Sequence, residues 1–136
     1  MMTIYLNDFS HILVDALSQN ESLQDYKVLH AYPYKNKPVF VRDVMIAVMP
    51  GSYDCAPCDL DLNCYGGEFT VNVMVYIGRH SGAPEPYAIT REVVGTVAAL
   101  MPTAISVGEV TAHDELNAYC VKCSFTFATG LYIREE

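Results

Sequence analysis

Apolar residues recur along this chain with two periods, one helical and one extended. The helical period predicts a first helix over residues 7–19, with Asn7 or Asp8 as its N-cap. A second helix is predicted over residues 86–101, with Pro86 in its first turn and Pro102 beyond its end. The apolar stripe of the first helix recurs every three or four residues: Phe9, Ile12, Leu13, Ala16 and Leu17.

Alternation of apolar and polar residues predicts three strands between these helices. Residues 26–32 alternate and end at Pro33, which opens the polar loop PYKNKP. Residues 43–49, DVMIAVM, are apolar on both faces, which is typical of a central strand or of one covered by an interface. Residues 68–78, EFTVNVMVYIG, alternate more regularly than any other segment.

The chain ends in a predicted hairpin around the segment AHDELN. Its strands cover residues 105–111 and 117–127. The second strand places five apolar residues on one face: Tyr119, Val121, Cys123, Phe125 and Phe127. The complete order, α-β-β-β-α-β-β, predicts a single α+β domain over residues 1–136, in which two helices pack on one face of a mainly antiparallel sheet.

The segment PGSYDCAPCDLDLNCYGGEF interrupts this pattern between the two most apolar strands. Residues 50–68 are predicted to form a long projecting loop. Loops longer than about 12 to 15 residues are uncommon unless they serve a function. We therefore interpret the loop as a docking element, with five candidate contact residues: Tyr53, Asp54, Asp59, Asp61 and Tyr65.

Cysteine pairs in this segment and near the C-terminus raise the alternative of a metal or thiol site. CAPC and CVKC are both Cys-x-x-C pairs, which supply zinc ligands when each pair sits on a tight turn. CVKC lies in an alternating strand, which sends Cys120 and Cys123 to opposite faces of the sheet. The segment after CAPC does not resemble the helix start of a redox-active pair. A zinc- or thiol-dependent protein therefore stays the lesser alternative.

The aspartates of the same segment do not complete a calcium loop. Asp59, Asp61 and Asn63 alternate as in an EF-hand, but Cys64 stands where that loop requires glycine. No nucleophile with a base and an acid partner, and no phosphate-binding loop, is recognisable in the sequence. We expect no catalytic residue, no metal and no cofactor.

Charge and composition narrow the classes of partner. The 136 residues carry a formal net charge of −8, which disfavours tight binding to nucleic-acid phosphates. Hydrophobic residues make up 51 % of the chain, yet no apolar run is long enough to span a bilayer, and the N-terminus does not resemble a signal peptide. Ten tyrosines and strands that are apolar on both faces favour a protein with exposed interfaces over one with a core alone.

The order of these segments resembles that of the tail-terminator, or tail-completion, proteins of long-tailed bacteriophages. The resemblance spans nearly the whole chain: an N-terminal helix, the Pro-bounded basic segment YPYKNKPVFVRDVMIAV, a long loop, the strand EFTVNVMVYI, the helix YAITREVVGTVAALM and a final hairpin. The two Cys-x-x-C pairs belong to no pattern of that family.

The resemblance implies a structural virion protein. Members of the family form a ring, usually a hexamer, that caps the finished tail tube, ends its polymerisation and joins it to the head connector. The implied partners are further copies of the chain, the major tail tube protein and the head–tail connector or stopper protein. Genomic DNA would pass through an acidic lumen without specific binding, and assembly would take place in the host cytoplasm. The alternative within the virion is another neck or tail component, such as a head-completion or tube protein.

Overall fold

The computed structural model describes residues 2–6, 9–30, 43–57, 64–79 and 86–135. These residues form two α-helices, six β-strands and two short 3₁₀ turns. The helices are α1, Phe9–Gln19, and α2, Pro86–Ala98. The strands are β1, Met2–Leu6; β2, Lys27–His30; β3, Val44–Pro57; β4, Cys64–Gly78; β5, Ala104–His113; and β6, Ala118–Glu135.

All six strands join one sheet, in the spatial order β1-β6-β4-β3-β2, with β5 paired to β6 beside β1. The pair of β2 and β3 is parallel, and the other pairs are antiparallel. Both helices pack on the same face of the sheet, which we call the helix face. The predicted α+β class, with two helices on a mainly antiparallel sheet, is confirmed.

The main core lies between the helices and the three central strands. Leu13 and Leu17 of α1 and Val93 and Val97 of α2 are fully buried against this face. The strands contribute one side of each alternating pattern to the same cluster: Val44, Ile46, Val48, Phe69, Val71, Val73, Val75, Ile77, Val121, Cys123, Phe125 and Phe127. Leu13 and Leu17 of the predicted α1 stripe thus meet the apolar faces of the strands, whereas Ile12 of the same stripe is exposed.

A second, smaller cluster lies on the opposite face of the sheet. It consists of Met45, Ala47, Tyr76, Ala118 and Cys120, all buried. Because β3 contributes to both clusters, the double-sided apolar pattern of residues 43–49 is explained by burial on both faces of a central strand.

The predicted loop over residues 50–68 is wrong for most of its length. Strand β3 continues to Pro57 and β4 begins at Cys64, so that residues 53–57 pair with residues 65–69. The pairing resumes after a register shift between Pro50 and Tyr53. A proline, glycines and acidic residues suggested a loop, but cross-strand pairing overrides these weak local preferences. The segment is a hairpin, of which residues 58–63 lie outside the described residues.

Further elements and boundaries differ from the prediction. Strand β1 was not predicted, and β6 runs to Glu135 instead of residue 127, because its last residues pair with β1. Helix α2 ends at Ala98 instead of residue 101. Met101 has a φ of 62°, and Pro102 after it disfavours a helical residue at that position. The predicted caps Asn7 and Asp8, and the predicted strand end at residues 31–32, lie outside the described residues.

Candidate functional site

The hairpin of residues 53–57 and 65–69, which we call the arm, is anchored to the core by stacked aromatic rings. The ring of Tyr53 lies 4.1 Å from that of its ladder partner Phe69, at an interplanar angle of 14°. Phe9 of α1 lies 4.9 Å from Phe127 and 5.9 Å from Phe69, measured between ring centroids. These contacts fix the base of the arm to α1 and to β6, so the arm is a continuation of the sheet.

The structure brings three of the five predicted docking residues onto the arm. Asp54 is exposed and faces Glu68 across the ladder, and Tyr65 is half-buried opposite Pro57. Tyr53 is also half-buried, and its stacking on Phe69 gives it a packing role. Asp59 and Asp61 lie outside the described residues. The described part of the arm therefore offers an acidic pair, Asp54 and Glu68, on its exposed surface.

Glycine is required at two positions where β3 and β4 approach each other. A Cβ atom at Gly67 of the arm would overlap the backbone of Asp54 and Cys55, and one at Gly51, before the arm, would overlap the carbonyl of Thr70. Since backbone atoms cannot move aside as a flexible side chain can, glycine at these positions allows β3 and β4 to lie close together.

The most exposed apolar surface lies at the other side of the sheet, on β5. Every residue of β5 before His113 is exposed. Ile105, Val107 and Val110 are 43 %, 44 % and 37 % exposed, although their ladder partners in β6 are buried. Among the described residues, β5 pairs only with β6, so the backbone groups along its outer side have no strand beside them. An apolar strand with an open edge is a typical site of strand addition.

A groove of about 430 Å³ runs between α2 and β5 on the helix face. Its lining is largely apolar and consists of Tyr87, Thr90, Arg91, Val94, Gly95 and Val107. The groove is open at Gly95, since a Cβ atom there would meet nothing within 4 Å. The groove and the open edge of β5 form one continuous surface through Val107, which we call the β5 surface.

The cysteines of CVKC lie on opposite faces of the sheet, as predicted. Cys123 belongs to the helix-face core and Cys120 to the cluster on the second face. Burial raises the pKa of Cys120 to about 12, with a further contribution from Cys123, and burial raises the pKa of Cys123 to about 11. The two thiols therefore do not converge on one site, and their burial disfavours the thiolate on which thiol chemistry depends.

The histidine and serine side chains near α1 hold the helix to the sheet. Ser10 Oγ and His30 Nε2 are 2.8 Å apart, and the rings of His11 and His30 meet edge to face with centroids 4.3 Å apart. Ser10 is fully buried, so its hydroxyl cannot receive a substrate from solvent. This contact ties α1 to β2.

The described part of the chain contains neither a metal-binding cluster nor a membrane-spanning helix. No group of three or more His, Cys, Asp or Glu side chains there is arranged to hold a metal ion. No helix there is long and apolar enough to cross a membrane.

Comparison with known proteins identifies no family for this chain. No protein-family model matches the sequence, and no curated protein matches it. Among the solved structures that are similar to it, one described as Np_888769.1 aligns with 94 % of this chain and 92 % of its own at 20 % identity, with a TM-score of 0.41.

The β5 surface was not predicted from the sequence. The predicted strand over residues 105–111 is confirmed and runs from Ala104 to His113. The pattern does not show that β5 lies outside the area that the two helices cover. A signal was nevertheless present, because the first strand of a terminal hairpin has a neighbour on one side only unless another segment joins it.

Proposed function

We propose that this chain is a structural virion protein of long-tailed bacteriophages, a tail terminator that forms a ring on the end of the tail tube. In this role it ends tube polymerisation and joins the tube to the head connector or stopper protein. The observation that carries the proposal is the β5 surface: a ten-residue strand with an open edge and exposed Ile105, Val107 and Val110, beside an apolar groove. Such a surface supports self-association.

Three other features support the same role. The order of segments resembles that of the tail-terminator family over nearly the whole chain. The net charge of −8 suits a ring, usually a hexamer in that family, whose lumen genomic DNA crosses without adhering. The arm, with Asp54 and Glu68 exposed, is a rigid extension of the sheet that can contact the tube protein or the connector.

A tube subunit or another neck protein is the second candidate, because an open strand edge also serves a growing polymer. Native mass spectrometry separates the two. A terminator gives one closed assembly, a fixed multiple of 15.1 kDa, whereas a tube subunit gives a growing series. The zinc- or thiol-dependent alternative is disfavoured by the opposed, buried positions of Cys120 and Cys123.

Loss of the gene in a phage that carries it tests the proposed function directly. We expect electron micrographs of the lysate to show tubes of uncontrolled length, unattached to heads, and the wild-type gene supplied in trans to restore virions. Tails of normal length and normal attachment in the mutant lysate would contradict the proposal. A matched control is a mutant in which Ile12, an exposed residue of α1, is changed to Asp, which should leave the tails normal.

A further inference from the structure

Among the described residues, the sheet has open strand edges at both of its sides. At one side β5 and the shorter β1 each pair only with β6, and at the other side β2 pairs only with β3. Two different open edges on one molecule permit head-to-tail association, in which each copy uses one edge toward either neighbour. A single open edge would permit only a self-paired dimer.

Strand directions are compatible with joining these two edges. Strand β2 is parallel to β3, and β3, β4, β6 and β5 alternate in direction, so β5 runs opposite to β2. A second copy placed beside β5 in the same orientation therefore presents its β2 antiparallel to β5. The helices of both copies then lie on the same face of one continuous sheet, as a ring with a distinct inner and outer wall requires.

The uncovered strip over β5 has the width that this arrangement needs. Helix α2 packs on β4 and β6, and α1 packs on β2 and β3. Joining β5 to β2 of the next copy separates α2 from the next α1 by about three strand spacings, roughly 14 Å. Directly packed helices lie only about 8–10 Å apart. The two helices would therefore leave a gap above β5. The exposed side chains of Tyr87, Ile105 and Val107 lie there and fill it.

Charges along the two edges also match. The helices of both copies lie on one face only if helix-face residues oppose each other, as when Val28 of β2 lies opposite Val107 of β5. In this register the exposed Lys27 lies opposite Gly108, next to the exposed Glu109. Self-pairing of two β5 strands in a register centred on Glu109 would instead bring two Glu109 carboxylates close together, and like charges across a ladder are destabilising.

We propose that copies of this chain assemble head to tail by antiparallel pairing of β5 with β2 of the next copy, with Glu109 beside Lys27 at each contact. This inference rests on the proposed ring and names the surfaces that close it. Each copy then has its open β5 edge covered, and the groove beside α2 lies under the contact between copies.

A charge placed on the β5 surface tests whether this surface is the contact. We expect Val107→Asp to convert the wild-type assembly into monomers in native mass spectrometry and analytical ultracentrifugation. Ile12→Asp is the matched control, because Ile12 is 45 % exposed against 44 % for Val107. It lies on the side of α1 away from Ser10 and His11, which contact His30 of β2. Equal assembly of both variants, or a wild-type chain that stays monomeric at every concentration, would overturn the inference.

Charge exchange tests which two edges meet. Lys27→Glu and Glu109→Lys should each weaken association, by roughly two- to fivefold for each contact, because like charges then face each other. An equimolar mixture of the two variants should restore the wild-type affinity, since every contact again joins opposite charges. If neither variant weakens association and a mixture of Glu109→Lys with the wild type associates more tightly than either alone, two β5 strands pair with each other and the head-to-tail model is wrong.

The two proposals can fail separately. A ring that responds to these substitutions as expected, in a phage whose tails end normally without the protein, would refute tail termination and leave the pairing of β5 with β2 intact. A loss of tail termination together with a ring that tolerates Val107→Asp would refute only the pairing.

Discussion

Strands β5 and β6 form the two halves of one hairpin, yet their apolar residues differ in burial. In β6, Ala118, Cys120, Val121, Cys123 and Phe125 are at most 1 % exposed. In β5, the residues that pair with this segment are exposed at every position before His113. Both strands are apolar and both have the alternation of a strand. The difference comes from their places in the sheet, since β6 has neighbours on both sides and a helix above it.

This comparison shows that composition does not decide which apolar strand is core and which is interface. An interior strand is buried by its own chain, and its apolar residues stabilise the monomer. In an edge strand of similar composition, the apolar residues are free to contact a partner outside the monomer, and without a partner they lower its solubility. Substitutions in β6 should therefore change folding, and substitutions in β5 should change assembly.

The largest expected difference in stability is between two alanine substitutions within one ladder pair. Phe125 is fully buried in β6 and pairs with Ile105 of β5, which is 43 % exposed. Phe125→Ala should lower the free energy of unfolding by about 3–5 kcal/mol, the usual cost of a cavity at a buried phenylalanine. Ile105→Ala should lower it by less than about 1 kcal/mol. Chemical denaturation of the monomer measures both, and similar losses would contradict the assignment of β5 as an edge.

Replacing glycine by alanine should be more destabilising in the interior strand β4 than in the edge strand β5. Gly67 in β4 has the backbone of Asp54 and Cys55 against it, whereas a Cβ at Gly108 in β5 would lie 3.2 Å from one carbonyl oxygen, that of Lys122. Gly67→Ala should destabilise the chain by about 1–3 kcal/mol, because backbone must shift. Gly108→Ala should cost less than half as much in the same denaturation experiment. The reverse order would show that the arm is not packed as described.

Alkaline pH should destabilise the folded chain through the ionisable groups that are buried in the sheet. Burial raises the pKa of Cys120 from 9.0 to about 12, that of Cys123 from 9.0 to about 11, and that of Tyr76 from 10.0 to about 12. Above pH 9 the unfolded chain releases these protons first, so stability should be full below pH 9 and decline as the pH rises through 11 and 12. Each group lowers the free energy of unfolding by at most about 1.4 kcal/mol per pH unit.

Denaturation curves recorded between pH 8 and pH 11 measure this decline. The double variant Cys120→Ala, Cys123→Ala should show a shallower decline than the wild type, because two of the three groups are gone. A decline of equal slope in the variant would mean that the thiols do not remain protonated in the folded state.

Substitution of Gly95 should have the smallest effect on the free energy of unfolding, and it should be stabilising. It lies inside α2, where glycine is less favourable than alanine, and a Cβ there would meet nothing within 4 Å. Gly95→Ala should therefore raise the free energy of unfolding by about 0.5–1 kcal/mol. Gly95→Trp should fill the groove and reduce assembly without unfolding the monomer. A loss of stability in Gly95→Ala would show that the groove is closed.

Local pattern predicted most of the core of this fold and little of its edges. The helical stripe that contains Leu13 and Leu17, and the alternation of residues 68–78, were sufficient because each places one face against a core. The hairpin of residues 53–57 and 65–69 was mistaken for a loop, since its glycines and prolines are typical of turns and its pairing is not visible locally. The five docking residues came from that interpretation, and only Tyr53, Asp54 and Tyr65 lie within the described residues.

The position of β5 was unpredictable for a different reason. Whether an apolar strand is covered depends on how many strands the helices span, and this is a property of the whole sheet. Opposite faces for Cys120 and Cys123 followed from strand alternation alone and are confirmed. The placement of the two cysteines could therefore be predicted from the sequence, whereas the exposure of β5 could not.

Hydrogen–deuterium exchange of the hairpin tests most directly that β5 is an interface strand. Peptides from β5, residues 104–113, and from β6, residues 118–127, are compared in the wild-type chain at low and at high protein concentration. We predict that β6 is protected at both concentrations and that β5 gains protection only as the chain assembles, together with residues 27–30 of β2. Protection of β5 that does not change while the chain assembles would contradict the account.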